Sequence, residues 1–349
     1  MVITGLIMIL LLVLILPFVI KPIEENMEPF LFVMGLIATI ISGLLRKELV
    51  LEALHEPIMI TAAVFLAGAL FFILSKQFKN FMNRLYELVP VPVVVFFVIA
   101  VLGLASSIIT AIVASIILVE VIFLLPLQRK HKITVCVLAC FSIGLGASLT
   151  PIGEPLATIA VSKLDQDFFF LLRLLGKYVM PAVIVFAAIG AAFSAWAMRD
   201  YNQQPLSDVA MTNEEVIDEF EQETWKGIII RALKVYLFVM ALVFLGEGFQ
   251  PLIDQYIISL DSKLLYWVNM VSAVLDNATL TAAEISNQMS VIQIKAILMG
   301  LLISGGMLIP GNIPNIISAS KLQITSKEWA KIGVPIGLAV MIIFYLILF

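Results

Sequence analysis

The sequence has few charged residues and few of the side chains that bind transition metals. Charged side chains account for 13% of its 349 residues, while 62% are hydrophobic and the mean hydropathy is +1.10. A soluble domain with so little polar surface could not cover its apolar side chains. The net charge of −4 also gives no indication of a nucleic-acid partner.

Cysteine and histidine are scarce, with two residues of each type. Cys136 and Cys140 are four residues apart on one predicted helix, and we interpret them as small packing residues because no further ligand adjoins them. His55 and His131 lie in different connections, and the H-E-x-x-H pattern of zinc proteases is absent. The sequence therefore predicts no transition-metal site, no cofactor and no enzymatic activity, and an intramembrane enzyme stays a remote alternative.

Long apolar segments make up most of the chain. Residues 9–16 are all aliphatic and lack the polar alternation of a barrel strand, so we expect the spanning segments to be helices. This pattern predicts an all-α polytopic protein of the cell membrane with about 9–11 membrane elements. The predicted apolar spans are residues 2–20, 28–45, 58–75, 90–105, 107–126, 133–161, 177–198, 232–250, 264–289, 292–322 and 332–349.

Glycine and proline interrupt two of these spans in the same way. Residues 146–155 read GASLTPIGEP and residues 305–314 read GGMLIPGNIP, and an offset of 159 aligns their first glycines and both prolines. Proline removes a helix donor and glycine permits non-helical angles, so both spans should unwind inside the membrane; two merely kinked helices are the alternative. The residues predicted to break the helices are Gly146, Pro151, Gly153, Pro155, Gly305, Gly306, Pro310, Gly311 and Pro314.

A second pair of matching segments precedes the breaks. Residues 105–111 and 276–282 are 171 positions apart, and each places small and polar side chains at the centre of an apolar stretch of hairpin length. Non-helical backbone at membrane depth must be buried in protein or line a cavity. We therefore expect each segment to form the tip of a re-entrant hairpin.

Basic residues set the predicted orientation of the two halves. Lys76, Lys79 and Arg84 precede the first hairpin and Arg129 follows it, which places both flanks in the cytoplasm. The first unit then runs inward and the second outward, so the halves are predicted to be inverted repeats. The predicted divisions are N-terminal scaffold helices at 1–57, a first repeat at 58–198, an acidic cytoplasmic linker at 199–226 and a second repeat at 227–349.

Four acidic residues lie well within or beside the spans, whereas Glu247 lies near the outer end of its span. A charge at the centre of a spanning helix costs about 2.5–3.5 kcal/mol, so such residues are functional candidates by default. No Lys or Arg lies within the breaks or the hairpin tips, which favours a bound cation or proton over an anion. The proton-coupling candidates are Asp276, Glu154, Glu120 and Glu284; Glu120 could instead be a structural acid bonded inside the bundle.

Oxygen-bearing side chains surround the same segments, and hard ions such as Na⁺ prefer oxygen ligands. If residues 277–284 are helical, Asn277, Thr281 and Glu284 share one face. Serine and threonine hydroxyls have a structural alternative, because in membrane helices they often bond to backbone carbonyls. The predicted cation or substrate ligands are Ser106, Ser107, Thr110, Ser148, Thr150, Glu154, Asp276, Asn277, Thr279, Thr281, Asn312 and Asn315.

Three segments resemble the ion transporter superfamily, which includes sodium/proton antiporters, arsenite permeases and sodium-coupled dicarboxylate carriers. They are TPIGEP at 150–155, GNIPN at 311–315 and DNAT at 276–279, and the chain looks especially like a family of archaeal and bacterial membrane proteins described as cation transporters without an established function. The resemblance spans most of residues 58–349 and implies a scaffold, a transport domain, paired re-entrant hairpins and a homodimer. Residues 105–107 lack the asparagine that the superfamily often has at this tip, so two equivalent ion sites are not implied.

Together these features predict a secondary active ion transporter of the cation/proton (Na⁺/H⁺) antiporter type that works by alternating access. The alternative is a sodium-coupled symporter of a small carboxylate or oxyanion, held by the helix N-termini that follow the breaks. A channel is a further alternative. The predicted partners are the lipid bilayer, a small ion and a second copy of the chain, and the predicted bound ions are Na⁺ or H⁺.

Overall fold

The computed structural model is helical and has no strand among the residues that it describes. These are residues 2–20, 22–23, 26–58, 61–62, 65–66, 69, 73, 88–202, 225–256, 260–273, 277–285 and 289–349. Several predicted features lie wholly or mostly outside them, namely the apolar span at 58–75, Lys76, Lys79 and Arg84, the acidic linker and Asp276. The division of the chain at residues 58 and 227 therefore stays a prediction.

The described helices follow the order of the predicted spans. The N-terminal part contains α1 (Val2–Val19), α2 (Met27–Ser42) and α3 (residues 47–58). The first half contains α4 (Val91–Ile109), α5 (Ala111–Leu124), α6 (Arg129–Ala147), α7 (Pro155–Lys163) and α8 (Phe170–Asn202). The second half contains α9 (Trp225–Tyr256), α10 (Ser262–Val268), α11 (Asn277–Glu284), α12 (Val291–Gly305), α13 (Ile313–Lys321) and α14 (Ser326–Leu348), with 3₁₀ turns at Asn269–Ala273 and Ile309–Gly311.

Five of these helices contain segments long and apolar enough to cross a bilayer. The segments are Val91–Ile109, Arg129–Ala147, Phe170–Arg199, Trp225–Leu252 and Ser326–Leu348. Shorter apolar segments are Val2–Pro17, Glu28–Ser42, Ala111–Leu124 and Val291–Gly305. Together with the two broken spans, they confirm the predicted all-α polytopic membrane fold.

The same backbone conformation follows both breaks. Glu154 immediately precedes α7 with φ −157° and ψ 158°, and Asn312 immediately precedes α13 with φ −156° and ψ 145°. Both helices have nine residues and end in a lysine. Just beyond them, Asp165 and Gln323 adopt the left-handed region, with φ values of 49° and 50°.

Hydrogen bonds within the two breaks also recur, at an offset of 158 residues. The Gly153 N–H donates to the Thr150 carbonyl at 3.1 Å, and the Gly311 N–H donates to the Leu308 carbonyl at 3.3 Å. The offset of 159 inferred from the prolines is therefore one residue too large in this segment. Backbone bonding determines which positions are equivalent, and the prolines occupy neighbouring positions in the two copies.

The two halves pack on each other reciprocally. Helix α7, which follows the first break, packs against α11 of the second hairpin, and α13, which follows the second break, packs against α5 of the first hairpin. Each hairpin is thus completed by the other half. This exchange joins the two halves through their broken helices.

Arg129, predicted to be cytoplasmic, contacts the connection between α13 and α14. The Arg129 guanidinium, at the start of α6, donates to the Gln323 carbonyl at 2.8 Å and forms an ion pair with Glu328 at the start of α14. Glu328 also accepts from the Thr325 N–H in a capping box that begins α14. The beginning of α6 and the α13–α14 connection are therefore on one side of the bundle.

We expect Gly146→Ala to destabilise the folded protein. A Cβ atom at Gly146 would collide with the Gly103 carbonyl, which is backbone and cannot rotate away. Overpacking of a tight core typically costs about 1–3 kcal/mol, and a backbone collision belongs at the upper end of that range. Thermal unfolding of the detergent-solubilised protein would measure this loss.

Gly176→Ala is the matched control in α8. Its Cβ atom would lie 3.4 Å from the flexible Leu172 Cδ1 atom, an ordinary contact, so the unfolding midpoint should hardly change. Equal effects of the two substitutions would contradict the proposed close approach of α4 and α6.

Candidate functional site

Glu154 lies at the N-terminus that the first break creates. It is the N-cap residue of α7, with Pro155 in the first turn, and its side chain makes no capping hydrogen bond to that helix. The side chain is buried, with 6% relative exposure. The positive end of the α7 dipole stabilises a carboxylate at this position.

The first break is bonded directly to the turn of the first hairpin. This turn is Thr110, whose φ of 75° and ψ of 150° separate α4 from α5. The Ala111 N–H donates to the Gly153 carbonyl at 2.8 Å, and the Thr150 hydroxyl donates to the Ser107 carbonyl. The hairpin turn and the break therefore form one polar unit inside the bundle.

The serine and threonine hydroxyls predicted as ligands around this unit bond to the backbone. The Ser106 hydroxyl bonds to the Gly103 and Ile143 carbonyls, whereas those of Ser107 and Ser148 bond to carbonyls on their own helices. The Thr110 Oγ1 atom accepts from the Val113 N–H at 3.4 Å. Because a hydroxyl oxygen that donates its proton still has lone pairs, these contacts fit the structural alternative and leave the role as ion ligand a prediction.

The second break contains amides in place of hydroxyls and an acid. Asn312 is the buried N-cap residue of α13. Asn315, one turn later, is fully buried and donates from Nδ2 to the Gly305 and Leu308 carbonyls, both at 2.8 Å. Its Oδ1 atom has no hydrogen-bond partner in the part of the chain that the structure describes. Asn315 thus links the two sides of the break and presents one amide oxygen for another ligand.

Helix α6, which leads into the first break, packs against the second break and the helix that follows it. Gly144, just before the first break, is in close contact with the Asn312 amide, and Gly306 of the second break is in close contact with the Phe141 ring. The Cys140 thiol lies 3.3 Å from the Ser318 hydroxyl of α13. Cys136 and Cys140 are both buried and reduced, in agreement with their prediction as packing residues.

The second hairpin confirms the predicted polar face. Residues 277–284 form α11, and Asn277, Thr281 and Glu284 are all buried. Thr279 belongs to the same helix, and Asp276 lies outside the described residues. A Cβ atom at Gly305 would lie 2.6 Å from Asn277 Nδ2 and one at Gly146 would lie 3.1 Å from Ser106 Oγ. Helix α4 therefore contacts the end of α6 before the first break, and α11 contacts the end of α12 before the second.

Sequence reasoning missed Asn269. It is fully buried at the start of the 3₁₀ turn of the second hairpin, and its carbonyl accepts from the Ser304 hydroxyl at 2.8 Å. The available signal was a single amide inside an otherwise apolar stretch, next to Trp267, Val268 and Met270. An amide at that depth is costly unless it has partners, and it should have been included with the acids.

Glu120 forms an ion pair that the sequence did not predict. Its Oε1 atom contacts the Lys321 ammonium group, and both side chains are largely buried. The pair connects α5 of the first hairpin to the end of α13. This contact favours the structural alternative for Glu120, whose role in proton coupling stays a prediction.

A cavity of about 520 Å³ approaches the second break from the end of the molecule that contains the α13–α14 connection. Its lining includes Lys234 and Glu28, whose charged groups lie 3.9 Å apart, as well as Ile309 and Ile316 from the break and from α13. On the predicted topology this cavity faces the cytoplasm.

Comparison with known proteins gives a family without an assigned activity. A family model described as "Protein of unknown function (DUF1646)" matches residues 3–349. No curated protein matches the chain.

The Glu120–Lys321 pair predicts non-additive effects of substitution on stability. Glu120→Gln alone leaves a buried ammonium group without its counter-charge, a change that typically costs about 3–5 kcal/mol. Combining Glu120→Leu with Lys321→Met removes both charges and should recover much of that loss. Unfolding of the purified variants in denaturing detergent would measure the two effects.

The exposed pair between Arg46 and Glu247 is the control, since such surface pairs contribute about 0–1 kcal/mol. Glu247→Gln should therefore change stability little. Additive effects at positions 120 and 321 would show that the two side chains do not interact.

Proposed function

We propose that this chain, which belongs to the family of proteins of unknown function DUF1646, is a secondary active ion transporter that exchanges a cation such as Na⁺ for protons. The observation that carries the proposal is the pair of matching helix breaks inside the bundle, with α6, which leads into the first break, packed against the second. Discontinuous helices in repeated units form the central sites of many secondary transporters.

Reciprocal packing supports alternating access as the mechanism. Each half-helix that follows a break packs against the hairpin of the other half, so rocking of one unit against the other would move both breaks together. The cavity that approaches Ile309 opens toward one end of the molecule and offers a path for hydrated ions to the second break. A wider opening at the opposite end would belong to the other state of the cycle.

A cation fits the first break better than an anion does. The positive end of α7 already has the Glu154 carboxylate as its neighbour, which would repel a second anion. The second break contributes the Asn315 amide oxygen, a neutral ligand of the type that hard cations prefer. The positive charge of Lys321, at the end of α13, is balanced by the Glu120 carboxylate in an ion pair.

Exchange would follow from competition at the acids. A carboxylate in an apolar setting favours its protonated form, whereas an adjacent cation favours the ionised form. In the proposed cycle Glu154 and Asp276 hold either a proton or the cation, but not both. Movement of an occupied site across the membrane then couples the two gradients.

Purified protein in liposomes with an imposed pH gradient should dissipate that gradient when Na⁺ or Li⁺ is added. Glu154→Gln and Asp276→Asn should each abolish most of the response, because an amide cannot exchange a proton for a cation. A pH-sensitive dye inside the vesicles would record the change, with K⁺ and Ca²⁺ added in parallel.

Glu247→Gln is the control for this assay, since Glu247 already forms a partly exposed ion pair with Arg46. It should respond like the wild type. An unchanged response in both Glu154→Gln and Asp276→Asn would contradict the assignment of these acids. Single-channel currents recorded in planar bilayers would identify the protein as a channel instead.

The second candidate is sodium-coupled symport of a small carboxylate or oxyanion. The neutral N-terminus of α13 at Asn312 favours it, because no acid there opposes an anion. Na⁺-dependent uptake of a labelled anion, without net proton movement, would support symport and exclude exchange.

A further inference from the structure

Three polar side chains of the second hairpin are buried without hydrogen bonds from the rest of the described chain. They are Asn269, Thr281 and Glu284, with relative exposures of 0%, 0% and 1%. Apart from the contact between the Asn269 amide and the Glu284 carboxyl group, the polar atoms of these three side chains have no hydrogen-bond partner among the described residues. Native proteins pair the great majority of such groups, so these three call for a missing ligand.

These side chains belong to the two described elements on either side of residues 274–276, the 3₁₀ turn that begins at Asn269 and α11. Thr281 and Glu284 are three residues apart on α11 and therefore lie on the same face. The Asn269 amide lies beside the Glu284 carboxyl group. Behind Asn269, the Ser304 hydroxyl bonds to its carbonyl and Gly300 allows α12 to approach closely, so the position of Asn269 is fixed.

The chemistry of the three groups selects a small hard cation. A carboxylate, a hydroxyl and an amide oxygen are the ligands that such cations take in proteins. An isolated carboxylate in this setting is costly, and a bound cation would neutralise it. The described residues contain no cluster of three His, Cys, Asp or Glu side chains, so a soft transition metal is not indicated at this position.

We propose that Glu284, Thr281 and Asn269 form a binding site for Na⁺ or Li⁺ within the second hairpin, separate from the acid at the first break. The role of this site in coupling cation movement to proton movement rests on the proposed transport function. Binding itself does not, because it can be measured on purified protein in the absence of any gradient.

Binding of radioactive ²²Na⁺ to the detergent-solubilised protein would test the site, together with the Na⁺-induced rise in its melting temperature. Choline chloride provides the ionic-strength control. We expect Glu284→Gln to weaken Na⁺ binding at least about tenfold. Asn269→Ala should weaken it by a smaller factor, because one neutral ligand is lost rather than the charge.

Thr281→Val keeps the shape of the side chain and removes only its hydroxyl. This variant therefore tests the site even if the Glu284→Gln protein does not fold. It should weaken Na⁺ binding while the melting temperature in choline stays close to that of the wild type. The matched control is Ser115→Ala, since the Ser115 hydroxyl is buried but bonds to the Ala111 carbonyl. This control should bind Na⁺ normally.

Wild-type Na⁺ affinity in Thr281→Val and in folded Glu284→Gln would overturn the proposed site. Stabilisation by low pH alone, with no effect of Na⁺, would also overturn it and would assign a proton to Glu284. If Na⁺ binds as expected but liposomes show no exchange, the site stands and the proposed transport function fails. If exchange occurs without loss of binding in these variants, the transport function stands and this site fails.

Discussion

The requirement that every backbone polar group inside a membrane have a partner determines the architecture of this protein. Two of its helices unwind in the middle, and each unwound segment exposes amides and carbonyls that lipid cannot satisfy. At the first break, the Ala111 N–H donates a hydrogen bond to the Gly153 carbonyl, and the Thr150 hydroxyl donates to the Ser107 carbonyl of the hairpin. At the second break, the Asn315 side chain bonds to two carbonyls. The breaks therefore exist only because hairpins and side chains enclose them.

Glycine makes this enclosure possible by allowing backbones to touch. Gly146 lies directly on the Gly103 carbonyl, and Gly300 lies on the Tyr266 carbonyl of the second hairpin. Small residues at helix interfaces have the same function in other membrane bundles, where packing and hydrogen bonds replace the hydrophobic effect. The close contact that satisfies the backbone also brings the buried polar side chains together, so structural and functional demands coincide at these positions.

Local sequence rules predicted the elements, whereas contacts between distant elements could not be inferred. The length of the apolar segments predicted the spans, and glycine and proline predicted the breaks. Helical spacing predicted the shared face of Asn277, Thr281 and Glu284. The pairing of Glu120 with Lys321 depends on which half-helix packs on which hairpin, and no local pattern encodes that choice. The prolines also gave an offset one residue too large, because hydrogen bonding rather than composition defines equivalent positions.

Asn269 shows a related limit of prediction from the sequence. As a single amide in an apolar stretch it resembles many structural residues of membrane helices. Its significance depends on Glu284 and Thr281 lying on the returning arm of the same hairpin, a relationship that appears only when both arms are in place.

The exchange of half-helices between the two hairpins has a consequence for biosynthesis. Glu120 and Lys321, which mark the contact between α5 and α13, are 201 residues apart in the chain. At about 5–20 residues per second, a ribosome needs roughly 10–40 s to make the intervening segment. Throughout that interval the first half resides in the membrane without the helices that complete it, and its polar break depends on provisional partners. Insertion machinery or other chaperones in the bilayer would shield that surface, so the last helices to be synthesised complete the first ones.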